Sequence, residues 1–177
     1  MNTLSLRTPR TLDDLLNYRL LRLFSVSGAP VIRLLEGRHG IARREWRLLA
    51  LLAARGMLSP SALAEQAALD RPRTSRALGS LVAKGLVQRV PQPGDARRAQ
   101  VTLTDAGRAL HDEVFPQVAA LNRDVVAALD DSAVQALDRA LELLTARAQT
   151  LNAERMRDVR ADRRAGGSRR VRPGTDG

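Results

Sequence analysis

Two short helix signals stand back to back in this chain, and they constrain its fold more than any other feature. Ser59-Pro60 opens the first. Serine caps backbone N–H groups, and proline sits at the first helical position, where its missing N–H costs nothing. Leu58 before the cap and Leu63 after it are placed to form a hydrophobic staple. This helix is short, spanning 60–67. Asp70 then caps a second helix, which tolerates Pro72 in its first turn, runs to Lys84 and stops at Gly85. Two short helices joined by a tight turn form a helix-turn-helix.

The second of these helices divides its faces. Leu78, Leu81, Val82 and Gly85 recur at i, i+3, i+4, i+7 and are expected to pack inward. Arg73, Arg76 and Ser80 fall opposite, and Arg71 and Arg73 crowd the N-terminus. Positive charge there opposes the helix dipole, so it points to a binding role rather than to folding. The candidate DNA-contacting residues on this helix are Arg71, Arg73, Thr74, Ser75, Arg76 and Ser80, with Thr74 leaning toward the buried stripe.

After Gly85, residues 86–90 and 100–104 read as strands, and the Pro- and Gly-containing stretch 91–99 reads as a long loop between them. A basic hairpin tip beside a recognition helix is a wing. Arg97 or Arg98 is the candidate for the narrow, electronegative minor groove. Asp95 is expected to steer an arginine, because phosphates repel it.

Helices surround this unit. The first is expected over 13–35, with Leu12, Leu15, Leu16, Leu20 and Leu23 at helical spacing, a kink at Gly28 and Pro30, and an end near Gly37 and Gly40. The second is expected over 43–55, with Trp46, Leu49, Ala50 and Ala53 on one face. The fifth starts at Thr104 or Asp105 and is expected to kink at Pro116; Asp130 caps the sixth. Val134, Leu137, Leu141, Leu144, Ala148 and Leu151 form a heptad seam, read as a dimer interface. Aromatic residues are only 2% of the chain, so leucine and alanine must fill the core, which favours a mainly α fold.

The net charge of +10 attracts polyanions, nucleic acid first among them. With no cysteine, disulfides, cysteine-based zinc sites and thiol switches are excluded. No apolar run is long enough for a membrane span, and residues 1–10 lack a signal peptide's apolar stretch, so a cytoplasmic protein is expected. Two histidines, no glycine-rich phosphate loop and no His-Glu metal spacing give no catalytic residues, no metal site and no cofactor, hence no enzyme.

Several stretches, in order and at matching separations, resemble the multiple-antibiotic-resistance regulator (MarR) family. They are Gly40-Ile41-Ala42-Arg43-Arg44-Glu45-Trp46-Arg47-Leu48-Leu49, Leu63-Ala64 through Ser75-Arg76, Leu81-Val82-Ala83-Lys84-Gly85-Leu86-Val87, and Asp95-Ala96-Arg97 followed by Leu103-Thr104-Asp105-Ala106-Gly107. The resemblance covers 12–155. It implies a winged helix-turn-helix with a two-stranded wing and long N- and C-terminal dimerisation helices, working as an obligate homodimer. It implies that Asp95 and Arg97 match the family's wing pair, with Arg97 in the minor groove. It further implies repression of nearby genes relieved by a small molecule, often an aromatic acid, in a cleft walled by the first, second and fifth helices.

The domain reading is therefore an arm over 1–11, a body over 12–155 and a basic, disordered tail over 156–177. Within the body, 12–40 and 105–155 are dimerisation helices and 43–104 is the DNA-binding lobe. For an aromatic carboxylate, the candidate ligands are Tyr18, Arg19 and Arg22 on the first helix and Trp46 on the second, with His39 and His111 as further candidates. Arginine pairs with the carboxylate and the aromatic rings stack. The expected partners are a pseudo-palindromic duplex, a second copy of the chain and a small aromatic acid, with no membrane. The alternative function is a ligand-independent architectural DNA- or RNA-binding protein, although the chain has almost no aromatic platform for single-stranded RNA.

Overall fold

The computed structural model describes residues 6–92 and 95–154. After a 3-10 turn at Leu12–Asp14 come α1 (Leu16–Arg38), α2 (Arg43–Arg55), α3 (Pro60–Gln66), α4 (Arg71–Ala83), β1 (Val87–Gln92), β2 (Asp95–Leu103), α5 (Asp105–Val126) and α6 (Asp131–Glu154). The chain divides into two compact units, Met1–Ala127 and Ala128–Gly177. The expected basic tail, 156–177, lies outside the described residues.

Capping sets most of the helix starts. Ser59 Oγ accepts from the Ala62 N–H at 3.1 Å, Asp70 Oδ1 from Arg73 N–H at 2.8 Å, Thr104 Oγ1 from Gly107 N–H at 3.0 Å, and Asp130 Oδ1 from Ala133 N–H at 2.8 Å. Each satisfies an N–H that the helix itself leaves open. The α2 start uses a reversed device: Ala42 N–H donates to Glu45 Oε2 at 2.7 Å.

The first helix departs from expectation at its start. It begins only after the 3-10 turn, because the Asp14 carboxylate draws the N–H groups of Arg10 and Thr11, each at 3.0 Å. Those two hydrogen bonds hold the Asp14 carboxyl below its ordinary value. The helix then runs unbroken through Gly28 and Pro30 to Arg38. Proline removes one ladder bond. Just before it, the hydroxyls of Ser25 and Ser27 donate to the carbonyls of Leu21 and Leu23, at 2.8 and 2.7 Å. Pro116 likewise lies inside α5 without ending it.

One aliphatic core joins α1, α2, α3, α4, α5 and the hairpin. Leu35, Leu48, Leu49, Leu63, Leu78, Leu81, Val87, Val101 and Val114 are fully enclosed in it. Full burial of such a side chain stabilises by roughly 1.5–3 kcal/mol, so these aliphatic residues supply what few aromatics cannot. Away from this core, Leu20, Leu21, Leu23, Phe24 and Val26 of α1 are exposed. In the second unit, Leu137, Leu141, Leu143 and Leu144 of α6 are exposed as well.

The hairpin is longer than expected. Val87 pairs with Leu103 and the antiparallel register holds to Val90–Gln100, then shifts before Gln92–Asp95. Most of the stretch read as a loop is therefore strand. The shift sits at Pro91, which has no N–H to give the ladder, and a bulge accommodates it. A third strand fragment was not foreseen: Leu58 bridges Val101, with N–H to carbonyl distances of 3.1 and 2.8 Å.

Candidate nucleic-acid interface and effector cleft

Helix α4 presents its solvent face one position away from where periodicity put it. Thr74, Ala77, Leu78 and Leu81 are the buried stripe, and Arg71, Pro72, Arg73, Ser75, Arg76 and Gly79 are exposed. Two candidates drop out. Thr74 is 2% exposed, and its hydroxyl donates to the Asp70 carbonyl at 3.0 Å. Ser80 is half-buried, and its hydroxyl hydrogen-bonds the Glu45 carboxylate. Both serve the fold. Arg73 keeps its guanidinium near the cap, with Nε 3.4 Å from Asp70 Oδ2. Gly79 is the residue that the sequence reading missed: a side chain there would meet nothing within 4 Å. The i, i+3, i+4 relation among Thr74, Ala77 and Leu78 was the available signal.

The wing arises where expected. Asp95, Arg97 and Arg98 lie on β2, and Asp95 pairs with Gln92 at the end of the ladder. Their side chains lie outside the described part of the structure, so their orientation toward a groove stays an expectation from the sequence.

A buried polar knot ties α4 to α2. Glu45 is 5% exposed. Its Oε2 accepts from Lys84 Nζ at 2.8 Å, and the same ammonium donates to the Gly40 carbonyl at 2.8 Å. Burial alone would push the Glu45 carboxyl up. Hydrogen bonds from Lys84, Ser80 and the Ala42 N–H outweigh it and hold the group below its ordinary value. The only lysine of the chain is thus a strut between two helix ends.

A cleft of about 480 Å³ opens among α1, α2 and α5. Phe24, Arg43, Trp46, Arg47, Leu121 and Asn122 are among its walls. The Arg43 guanidinium lies over the Phe24 ring, 4.2 Å from its centroid. No Cβ fits at Gly28 without moving Arg43 Nη1. Arg47 is half-buried, and its Nη1 donates to the Ala67 carbonyl at 2.9 Å. Desolvation, then repulsion from Arg43 and Arg44, lowers its pKa from the ordinary arginine value. Neither Arg43 nor Arg47 pairs with a carboxylate among the described residues.

Of the six residues proposed from sequence for a ligand, only Trp46 lines this cleft. Arg19 and Arg22 are committed elsewhere: Arg19 Nε donates to the Asp13 carbonyl at 2.7 Å, and Arg22 pairs with the Asp13 carboxylate at 3.2 Å. Tyr18 is half-buried beside them in the chain, outside the walls. His111 stacks between Trp46 and Phe115, with centroids 5.7 and 5.3 Å away. The His39 side chain is 8% exposed with Nδ1 3.8 Å from Glu113, and its buried Nε2 has no partner. The pairing of arginine with an aromatic wall is present, but α2 supplies its arginines. Arg43 and Arg47 flank Trp46 at i−3 and i+1, a spacing visible in the sequence once the second helix is taken as the wall.

A helix-turn-helix followed by a two-stranded hairpin, packed on further helices, defines a winged helix-turn-helix protein. Residues 39–98 match the model of the MarR family. The chain is similar to the MarR family over this segment. It is 37% identical over 78 residues to the HTH-type transcriptional regulator FarR of Neisseria gonorrhoeae, covering 44% of this chain and 53% of the relative. It is 28% identical over 96 residues to the homoprotocatechuate degradative operon repressor of Escherichia coli, covering 54% and 62%. The match therefore spans less than two thirds of either relative. Among solved structures, a MarR family transcriptional regulator from Silicibacter pomeroyi superposes with a TM-score of 0.68 at 27% identity, over 78% of this chain and 93% of that one. Among the described residues, no group of three or more His, Cys, Asp or Glu is placed to hold a metal ion. No helix there is long and apolar enough to cross a membrane.

Proposed function

We propose that this chain is a homodimeric, sequence-specific DNA-binding transcription regulator of the cytoplasm, a repressor released by a small aromatic acid. The observation that carries the reading is the exposed face of α4. Arg71, Arg73, Ser75 and Arg76 are exposed on the second helix of a helix-turn-helix, with the basic strand β2 following. Arginine at such a helix N-terminus donates to guanine edges and phosphates. The exposed leucines of α1 and α6 support a second copy as partner, because apolar faces of this kind are covered in assemblies.

Selection from random duplex DNA at near-physiological salt tests the reading. The expected product is a palindrome with half-site centres about 34 Å apart. Retention of DNA without any enriched motif would instead favour the architectural alternative, binding by backbone charge alone.

The aromatic-acid part rests on the cleft. Arg43 and Arg47 offer unpaired positive charge beside the Trp46 ring. One relative bears a name tied to an operon that degrades homoprotocatechuate, itself an aromatic carboxylic acid. Trp46 is the sole tryptophan, so its emission reports occupancy directly. Quenching or a spectral shift with benzoate, nicotinate or homoprotocatechuate is expected; a flat response to all three counts against this ligand class.

A further inference from the structure

One side chain belongs both to the cleft and to the helix-turn-helix. Arg47 forms part of the cleft wall, and its Nη1 donates to the carbonyl of Ala67, the last residue of the α3 end. Arginine carries five N–H donors, and among the described residues Ala67 is the one acceptor that Arg47 has. The turn it holds is strained. Ala68 has a φ of 50°, in the left-handed region that favours glycine. The hydrogen bonds around it are those of a Schellman end: Ala68 N–H to the Glu65 carbonyl and Leu69 N–H to the Ala64 carbonyl, both 3.0 Å. Asp70, the cap of the recognition helix, follows directly.

We propose that Arg47 is the relay between the cleft and the DNA-reading helix: an anion in the cleft draws its guanidinium off the Ala67 carbonyl and loosens the α3–α4 turn. This rests on the reading of the cleft as a site for a carboxylate. The physical reason is competition for one planar fork. A carboxylate makes shorter, charge-assisted and often bidentate bonds with arginine, whereas a neutral carbonyl makes a single weaker one. Arg43 and Arg44 already crowd Arg47 with like charge, so an arriving anion relieves repulsion that Ala67 does not. The strained turn at Ala68 then loses its external tie, and the orientation of α4 relaxes with it. Arg47 is in this sense a positioning residue for α4. Arg43 lies in the same cleft but makes no hydrogen bond to the turn.

The test uses the full chain with benzoate as probe. Trp46 emission reads cleft occupancy, and hydrogen exchange reads the amides of Ala68 and Leu69. In the wild type, saturating benzoate is expected to speed exchange at these two amides about tenfold, the scale of an ordinary coupling between sites. Arg43→Met needs more benzoate to reach the same rise. Arg47→Lys keeps the charge but has no fork; its two amides exchange faster without benzoate and gain nothing when Trp46 reports saturation. Unchanged exchange in the wild type at full Trp46 response overturns the relay while leaving the cleft reading intact, and so does an equal rise in Arg47→Lys. A flat Trp46 response in the wild type overturns the ligand reading instead. In that event the ligand-free pair decides the tie, and equal exchange in wild type and Arg47→Lys overturns it.

Discussion

Helices α3 and α4 end in the same hydrogen-bond pattern, yet the two ends are built for different purposes. At the end of α4, Gly85 N–H bonds the Val82 carbonyl at 2.9 Å and Leu86 N–H bonds the Leu81 carbonyl at 3.0 Å. Ala68 and Leu69 do the same after α3. The left-handed residue is glycine in one case, with φ 69°, and alanine in the other, with φ 50°. Around Gly85 the chain is clamped. Thr104 donates its hydroxyl to the Gly85 carbonyl at 2.6 Å and its N–H to the Leu86 carbonyl at 3.1 Å. Around Ala68 a single guanidinium does the holding. One end is relaxed and fixed, the other strained and tied from outside. The junction of the wing with α4 is thus clamped, whereas the α3–α4 turn leans on one side chain.

The largest expected effect comes from attacking the clamped end. Gly107 opens α5 directly over Leu86, and a Cβ there would land on the Leu86 carbonyl oxygen, which is backbone and has no room to yield. Gly107→Ala is expected to destabilise by about 3 kcal/mol, the upper range for overpacking. The melting temperature should fall by about 6–12 °C for a chain of this size. A shift below about 2 °C would show that the junction is soft, and the contrast between the two helix ends would collapse.

Next comes the strut that holds the α4 end against α2. Removing the negative charge in Glu45→Gln leaves Lys84 without its ion partner and is expected to cost about 2 kcal/mol, as for hydrogen bonds to charged groups. The pH dependence has a defined sign. The folded Glu45 carboxyl lies below its ordinary value of 4.5, so its contribution is complete above that value and lost as pH falls through the lower, folded one. The stability gap between wild type and Glu45→Gln should therefore close on acidification below about pH 4.5 and stay constant above it. A gap that persists at acid pH would mean that shape, not charge, holds the strut.

These junctions also show what was legible in the sequence. Caps are local chemistry, so Ser59, Asp70, Thr104 and Asp130 could be read from residue type and spacing alone. The glycine at 85 announced its helix end for the same reason. The end at Ala68 carried no such mark, because its conformation is imposed by surroundings that periodicity does not see. The face of α4 was misread by one position since Leu78, Leu81 and Val82 fit a helical stripe as well as Thr74, Ala77, Leu78 and Leu81 do; burial chose the latter. Arg19 and Arg22 were plausible cleft residues until Asp13, a few positions away, proved to be their partner. The cleft was named from resemblance, and its arginines needed three dimensions.

The two left-handed positions of the comparison give the smaller effects. Gly85→Ala meets no atom within 4 Å, so the added methyl clashes with nothing and only the backbone conformation resists it. About 1 kcal/mol of destabilisation is expected from forcing alanine into the left-handed region. Urea denaturation should show a lower midpoint with an unchanged slope, since the exposed area on unfolding does not alter.

Ala68→Gly is the mirror experiment and should carry the opposite sign. The Ala68 side chain is exposed, so little packing is lost with its methyl. Strain of about 1 kcal/mol is relieved, while the freer unfolded chain takes back a part of it. The net expectation is a gain of about 0.5 kcal/mol and a higher urea midpoint. Coupling with Arg47 sharpens the point. If the guanidinium is what holds a reluctant turn, glycine at 68 should make Arg47→Lys less costly, and a double-mutant cycle should return an interaction energy of at least about 0.5 kcal/mol. Strict additivity would place Ala68 and Arg47 in separate accounts, and the α3 end would then be as self-sufficient as the one at Gly85.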